Sequence, residues 1–330
     1  LVTGVQTCAF RSMIIVIKRV LFLVVLLSSM VYANERVLIN VINNVSIPNV
    51  QKTIDDANIL KNELNEKNFT NFLKSWKKVE ALYLAGDINE DYLDTPRYMD
   101  VFNNLKEDLN SQMKMVIESK DEPKTALFKN SFKTINALEY VLFNDKEISQ
   151  REKELSVAIL DSIISHLEDI NEVYKNYLSA KPKDEKWENA LILNSLIASS
   201  YRLKEWRIGN ASGNSSKYKN DAKNERAEYF LSQNSFAAID AILDAHNEVV
   251  SKHKYYDFAQ FAMDKGAAIQ LLTVIDKISE MKAELKTLPK DDFTKANNLF
   301  NMAKDLHNAY YVSLIEQLSI VGKILDADGD

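Results

Sequence analysis

The chain has 330 residues, 46% of them hydrophobic and 27% charged, enough for one large or two modest domains with apolar cores. Only 7 Gly and 5 Pro occur, which excludes a sheet-rich fold, since such folds place turn residues at intervals of about 8–12 positions. The formal net charge of −6 argues against nucleic acid or an anionic membrane surface as the main partner.

Residues 1–12 precede Met13, a natural initiator, and read as an upstream segment foreign to the fold. Residues 13–33 read as a signal peptide. Lys18 and Arg19 form its basic region and Val20 to Leu27 its apolar run, while Val31-Tyr32-Ala33 offers small residues where a signal peptidase reads. Cleavage after Ala33 removes Arg11, Lys18 and Arg19 and takes the net charge from −6 to −9. The apolar run is too short, and its flank too polar, for a membrane span, so the expectation is an exported, periplasmic protein that is not integral to the membrane. The only cysteine, Cys8, is lost with the leader. Disulfides, thiolate metal sites, cysteine nucleophiles and a lipoprotein anchor are thereby excluded from the mature chain.

Residues 34–47 read as a lead-in, after which the pattern is helical almost throughout. Pro48 suits a first turn, with Val50, Ile54, Ala57 and Leu64 following at helical spacing. Further helices are expected over 70–85, ending at Gly86, over 96–119 after the pair Thr95-Pro96, over 125–143, and over 149–180. Lys181-Pro182-Lys183 breaks the chain. Beyond it come helices at 184–206, 222–253, 256–286 and 291–325, with the polar stretch 209–216 as a connector or a set of backbone amides for an anion. The expected fold is all-α, with two four-helix-bundle-like halves, 48–180 and 184–328, packed together.

Four histidines remain, His166, His246, His253 and His307. None makes a His-Glu-x-x-His pair or the paired Glu-x-x-His units of a di-iron bundle, so each reads as a packing or surface residue. Helical geometry gives a better lead. Phe128, Phe132, Ile135, Leu138 and Leu142 form one stripe, and at about 100° per residue Glu139 falls inside it, with Asn136 about 60° away at the rim. Likewise Phe69, Phe72, Leu73, Trp76, Val79 and Tyr83 define an inward face into which Glu80 points. Buried carboxylates must be paired, hydrogen-bonded, protonated or bound to a cation. Two readings stay open: structural salt bridges, with Arg97 or another base as partner, or a polar pocket or metal site using Glu80 and Glu139. In the second half, Glu205 aligns with Trp187, Asn194 and Tyr201, and Ser232 lies between Tyr229, Phe236 and Ile239. Glu225 projects similarly, with Glu228 at its edge, and Trp206 and Arg207 are placed to close over a cleft between the halves.

These segments resemble a known family. Ser131 to Phe143, read Ser-Phe-Lys-Thr-Ile-Asn-Ala-Leu-Glu-Tyr-Val-Leu-Phe, is similar to the signature helix of imelysin-like proteins, Gly-x-His-x-x-Glu followed by an aromatic and apolar residues. Glu139 matches the glutamate, Asn136 stands at the histidine position, and Thr134 replaces the glycine. Trp76-Lys77-Lys78-Val79-Glu80 resembles the family's Trp-x-x-x-Glu helix. Arg202 to Gly213, then Glu228 to Phe236 with Ser232 and Ser235, resembles its second-half motif. The family includes iron-regulated protein A, the insulin-cleaving membrane protease and imelysin domains of periplasmic iron-uptake proteins.

The resemblance implies two helical halves with a site at their interface, and a binding or accessory role in iron uptake beside an envelope transport partner. Its wall would be Trp76, Glu80, Asn136 and Glu139 from the first half, with Arg207, Ser232 and Ser235 from the second. The ligand would be a small molecule or a hard cation such as iron, with Glu80 and Glu139 as metal ligands. A metal-dependent peptidase is the enzymatic alternative. It is weakened by Asn136, whose amide oxygen is a poorer transition-metal ligand than imidazole. A helical scaffold that docks an envelope partner is the third reading.

Overall fold

The computed structural model describes residues 36–103 and 107–323, and among them there is no strand. The upstream segment, the signal peptide and its cleavage point lie outside the described residues. None of the described helices is long and apolar enough to cross a membrane.

Helix α1 (Val37–Val41) runs through a π turn, Ile42–Ser46, into α2 (Ile47–Asn62), which carries Pro48 in its first turn. Residues 37–46 are therefore helix rather than lead-in. Val37, Leu38, Val41, Ile42 and Val45 recur at helical spacing and are all buried. Asn65 caps α3 (Glu66–Ala81) by accepting the Asn68 N–H at 2.8 Å. This helix starts four residues earlier than the sequence suggests and buries Phe69, Phe72, Leu73, Trp76 and Val79.

Three of the long helices expected from periodicity are broken: 256–286 at Gly266, which has φ +76, and 96–119 and 125–143 by local side-chain chemistry. The 96–119 segment is α4 (Thr95–Met99) and α5 (Leu109–Glu118). The chain leaves the first at Asp100, whose carboxylate takes the Phe102 N–H at 2.9 Å and so satisfies the backbone in a turn instead of a helix. Asp108 caps the second through the Ser111 N–H. The 125–143 segment is a single turn at Pro123–Ala126, a 3-10 turn at Asn130–Lys133, and α6 (Ile135–Phe143). Thr134 caps α6 through the Ala137 N–H, so the true helix starts too late to include Phe128, which is 72% exposed.

Helix α7 (Gln150–Ser179) follows expectation, opened by a capping box between Ser149 and Glu152. After the Lys181-Pro182-Lys183 break, α8 (Glu185–Arg202) continues through a second π turn, Leu203–Gly209, and a short helix, Asn210–Ser212. The polar stretch expected to be a loop is thus helical and buried up to Ser212. It ends at Gly213, at φ +70, where a Cβ would stand 2.6 Å from the Ala222 nitrogen.

Residues 224–234 are a 3-10 turn and irregular backbone, and α9 (Ser235–Val250) begins later than expected. Asp291 holds that start from outside, accepting the Ser235 and Phe236 N–H groups at 2.7 and 2.8 Å. A carboxylate at a helix N-terminus satisfies orphan donors and complements the helix dipole. Beyond α9 come α10 (Phe258–Asp264), α11 (Ala268–Leu285) and α12 (Asn297–Asn308), the last running through a third π turn, Ala309–Leu314, into a single turn at Ile315–Gln317; another single turn lies at Ala85–Ile88.

Helix α3 packs against both α2 and α9, the second from the opposite half of the chain. Helix α7 backs α2, while α11 packs on α9 and α12. One continuous apolar core runs from Val37 to Leu318. The candidate functional region lies where α3 meets the second half.

Candidate functional site

Lys77 organises the site. It lies about 40° from Leu73 around α3, at the margin of the inward face, and its side chain is 0% exposed. Its Nζ donates to Glu80 Oε2 at 2.8 Å, Asp100 Oδ2 at 2.7 Å and Glu228 Oε1 at 2.5 Å. It also stands 5.0 Å from the centre of the Tyr229 ring. Arg207 closes the arrangement from the π turn, with Nε to Glu228 Oε2 at 2.9 Å and a terminal nitrogen to Glu80 Oε1 at 2.6 Å. The Tyr229 hydroxyl donates to Asp100 at 2.7 Å. Two cations thereby clamp three acids drawn from α3, the end of α4 and the irregular segment before α9.

These charges tune one another. Burial opposes the charged form of Lys77, but Asp100, Glu228 and Glu80 outweigh it and raise its pKa. Burial likewise opposes charge on Arg207, and its acidic neighbours raise it further above its ordinary value. For Asp100 burial is overcome by the Lys77 charge and hydrogen bond, and for Glu80 by Arg207 and Lys77, so both carboxyls lie below the usual range. With three acids sharing two cations, the shortfall lands on Glu228. Burial pushes it up to about 7 despite Arg207 and Lys77.

Glu139 stands beside this network with a different kind of partner. Its Oε1 accepts the Ser232 N–H at 2.9 Å and the Ser232 hydroxyl at 2.7 Å, tying α6 to the second half. Among the described residues no lysine, arginine or histidine forms an ion pair with it. Burial therefore dominates and lifts its pKa to about 7, aided by the nearby charges of Glu228 and Asp100.

Asn136, at the position of the signature histidine, spends its Oδ1 on the Val101 N–H at 2.8 Å. Trp76 is fully buried, and its Nε1 has no hydrogen-bond partner among the described residues. Ser235 is buried at the start of α9, its N–H on Asp291 and its hydroxyl unpartnered among the described residues. Arg97 pairs with Asp94 at the surface and does not reach Glu80. Glu225 is exposed, whereas Glu228, expected only at the edge, is 6% exposed and central.

Lys77, Asp100 and Tyr229 were not singled out by sequence reasoning. Only Lys77 carried a readable signal, its 40° offset from Leu73. Asp100 and Glu228 lie in segments where the helical wheel does not apply. Arg207 lies in a π turn, whose i→i+5 bonding widens and underwinds the helix, so the α-helical wheel does not give the direction in which it reaches Glu80 and Glu228.

The donor set does not suit a metal ion. Oxygens of Glu80, Asp100 and Glu228 gather within 4.8 Å of one another, but the Lys77 ammonium bonds all three acids and so stands where a metal would sit. Glu139 belongs to the Ser232 contact and is not part of that cluster. A hard cation would have to displace a tethered ammonium that has three charge-assisted hydrogen bonds.

The helical fold finds its counterpart among known proteins. The model of the imelysin family, peptidase family M75, matches residues 49–321. The chain belongs to the imelysin family. Its fold is that of an imelysin-like protein from Psychrobacter arcticum 273-4, with a TM-score of 0.70 at 14% identity over 86% of this chain and 94% of that one. It also resembles a protein described as an iron-regulated protein A precursor from Parabacteroides distasonis ATCC 8503, with a TM-score of 0.66 at 12% identity over the same shares. No curated protein matches this imelysin in sequence.

Proposed function

We propose that this imelysin is an exported envelope protein of iron acquisition that works by binding rather than by hydrolysis, with its ligand site at the polar centre between its halves. One observation carries the reading. Five charged side chains from both halves converge out of water, and the side chain of Glu80, at the edge of the network, keeps 14% of its surface exposed. Natural cores place charge in this way at a cost of several kcal/mol in desolvation for each ion, about 3–5 kcal/mol being lost when one partner is removed. A convergent set of perturbed acids and bases, drawn from separate elements, is a candidate functional site on physical grounds. The signal-like segment 13–33 supports export, and the iron-regulated neighbour supports the link to iron.

The alternative of a metal-dependent peptidase needs Glu80 and Glu139 free to coordinate. Here Glu80 is held by Lys77 and Arg207, and Glu139 by Ser232. Deleting the gene in its source organism and measuring radioactive iron uptake under iron limitation tests the role. Fractionating the envelope of the intact strain tests the location. A drop in uptake with the protein in the periplasmic fraction is expected. Unchanged uptake, or retention in the cytoplasm, overturns the reading.

A further inference from the structure

Donors without acceptors mark one side of the polar centre. Arg202 ends α8 where the π turn begins, part-buried, and among the described residues no hydrogen bond or ion pair reaches its guanidinium. Its electrostatic neighbours are Glu80 and Arg207, and its charge is felt by the buried His246. Glu80, the acid whose charge acts on it among the described residues, has both oxygens engaged, Oε2 by Lys77 and Oε1 by Arg207. In an α-helix Arg202 and Arg207 would point about 140° apart. The π turn between them brings both within electrostatic reach of Glu80, and among the described residues Arg207 bonds two acids while Arg202 has no hydrogen-bonded counter-ion.

An unpaired guanidinium partly removed from water is costly, and arginine cannot escape by losing its proton. The second unsatisfied donor is close in sequence geometry. Trp76 lies one turn before Glu80 on the same face of α3, and its indole N–H is buried without an acceptor. One donor a helical turn from Glu80 and another within its electrostatic reach, both short of acceptors beside an acid that is already engaged, call for an acceptor-rich ligand.

We infer that Arg202 is the recognition group for a small carboxylate-bearing anion that enters at the exposed edge of Glu80. The guanidinium offers two parallel N–H groups that match a carboxylate in plane and spacing. This rests on the binding role proposed above and deepens it. Ferric ion at neutral pH travels in oxygen-donor chelates that are themselves anionic, so the protein would hold the chelate's carboxylate and leave the metal's coordination shell intact. That assignment reconciles a link to iron with a carboxylate cluster already filled by Lys77.

Calorimetric titration of the mature chain, residues 34–330, at pH 7.5 with ferric citrate, with citrate alone and with calcium chloride tests the inference. Both citrate forms are expected to bind and calcium is not. Arg202→Gln should weaken citrate at least about ten-fold, with Arg202→Lys between, as for truncation of one partner of a buried charge pair. The melting temperature of ligand-free Arg202→Gln should equal or exceed that of the parent, because an unpaired charge is being removed. Absence of citrate binding, citrate binding untouched by Arg202→Gln, or a marked fall in ligand-free melting temperature overturns the assignment. If citrate fails to bind while deletion still lowers iron uptake, this inference fails and the proposed role stands.

Discussion

Around Lys77 five charged side chains meet out of water, whereas around His246 the second half buries a polar group by keeping it uncharged. His246 is 0% exposed, with Nε2 against the Ser199 hydroxyl at 2.9 Å and Nδ1 against the Tyr310 hydroxyl at 3.2 Å. Burial, aided by Arg202, lowers its pKa to about 3. His307, against the Ser200 hydroxyl at 2.9 Å, is lowered to about 4, mainly by burial and then by Lys204. The neutral centre is closed upon itself and is unaffected by the addition or loss of a proton near neutrality. The charged centre is unequal in sign and includes Glu228, pushed up to about 7, with Glu139, also at about 7, beside it. Buried polarity in this protein is therefore of two kinds, and only the charged kind is placed to respond to an incoming charge.

The contrast should show most strongly on removing Lys77. Lys77→Met leaves three acids with only Arg207 and is expected to cost about 3–5 kcal/mol, as when one member of a buried pair is deleted. Urea denaturation at pH 7 measures it, and adding Asp100→Asn to the same chain should recover part of the loss. A change below about 1 kcal/mol would place the network among surface-like ion pairs and erase the distinction.

Glu139→Gln sharpens the pH side of the comparison. The native pKa of Glu139 is raised from 4.5 to about 7, so between those values the folded chain holds a proton that the unfolded chain has lost. Stability from this group therefore falls as pH rises through that window and is level above it. Glutamine keeps an acceptor for Ser232 without the titration. The difference in unfolding free energy should move in favour of glutamine from pH 4.5 to 7, by at most about 3 kcal/mol for a shift of this size. A difference that is flat with pH would mean that the carboxylate is charged throughout.

His246→Leu should have the smallest effect, about 1–3 kcal/mol, from leaving Ser199 and Tyr310 without their partner. Because the histidine pKa is lowered from 6.5, wild-type stability from this group is complete above pH 6.5 and declines as pH falls toward 3. The penalty for the leucine variant should be constant from pH 7 to 8 and shrink in acid. Adding Ser199→Ala should return part of the loss. A penalty that varies between pH 7 and 8 would show that this centre titrates after all.

The long regular elements were legible in the sequence because one signal sufficed for each. Ser149 opens α7, and Lys181-Pro182-Lys183 marks its end. Where side chains compete with the backbone, periodicity misleads: Asp100 and Thr134 each end or restart a helix that the apolar pattern carries straight through. The start of α9 depends on Asp291, more than fifty positions away, which no local reading can supply. Glu80, Glu139, Arg207 and Ser232 were readable as inward-facing or motif-matched. The partners that decide their chemistry were not, since Asp100 and Glu228 come from irregular backbone and Lys77 belongs to a residue type that is almost never fully buried unless paired.

Helix α3 has neighbours from both parts of the chain along its flanks. Severing the polypeptide near residue 182 would strip an aromatic-rich surface bare on the amino-terminal fragment, and neither fragment is expected to persist alone as a soluble species. Heating should accordingly melt the whole molecule in one endotherm. A circular permutant that leaves both sides of α3 covered should tolerate new termini better than any attempt to express the fragments separately.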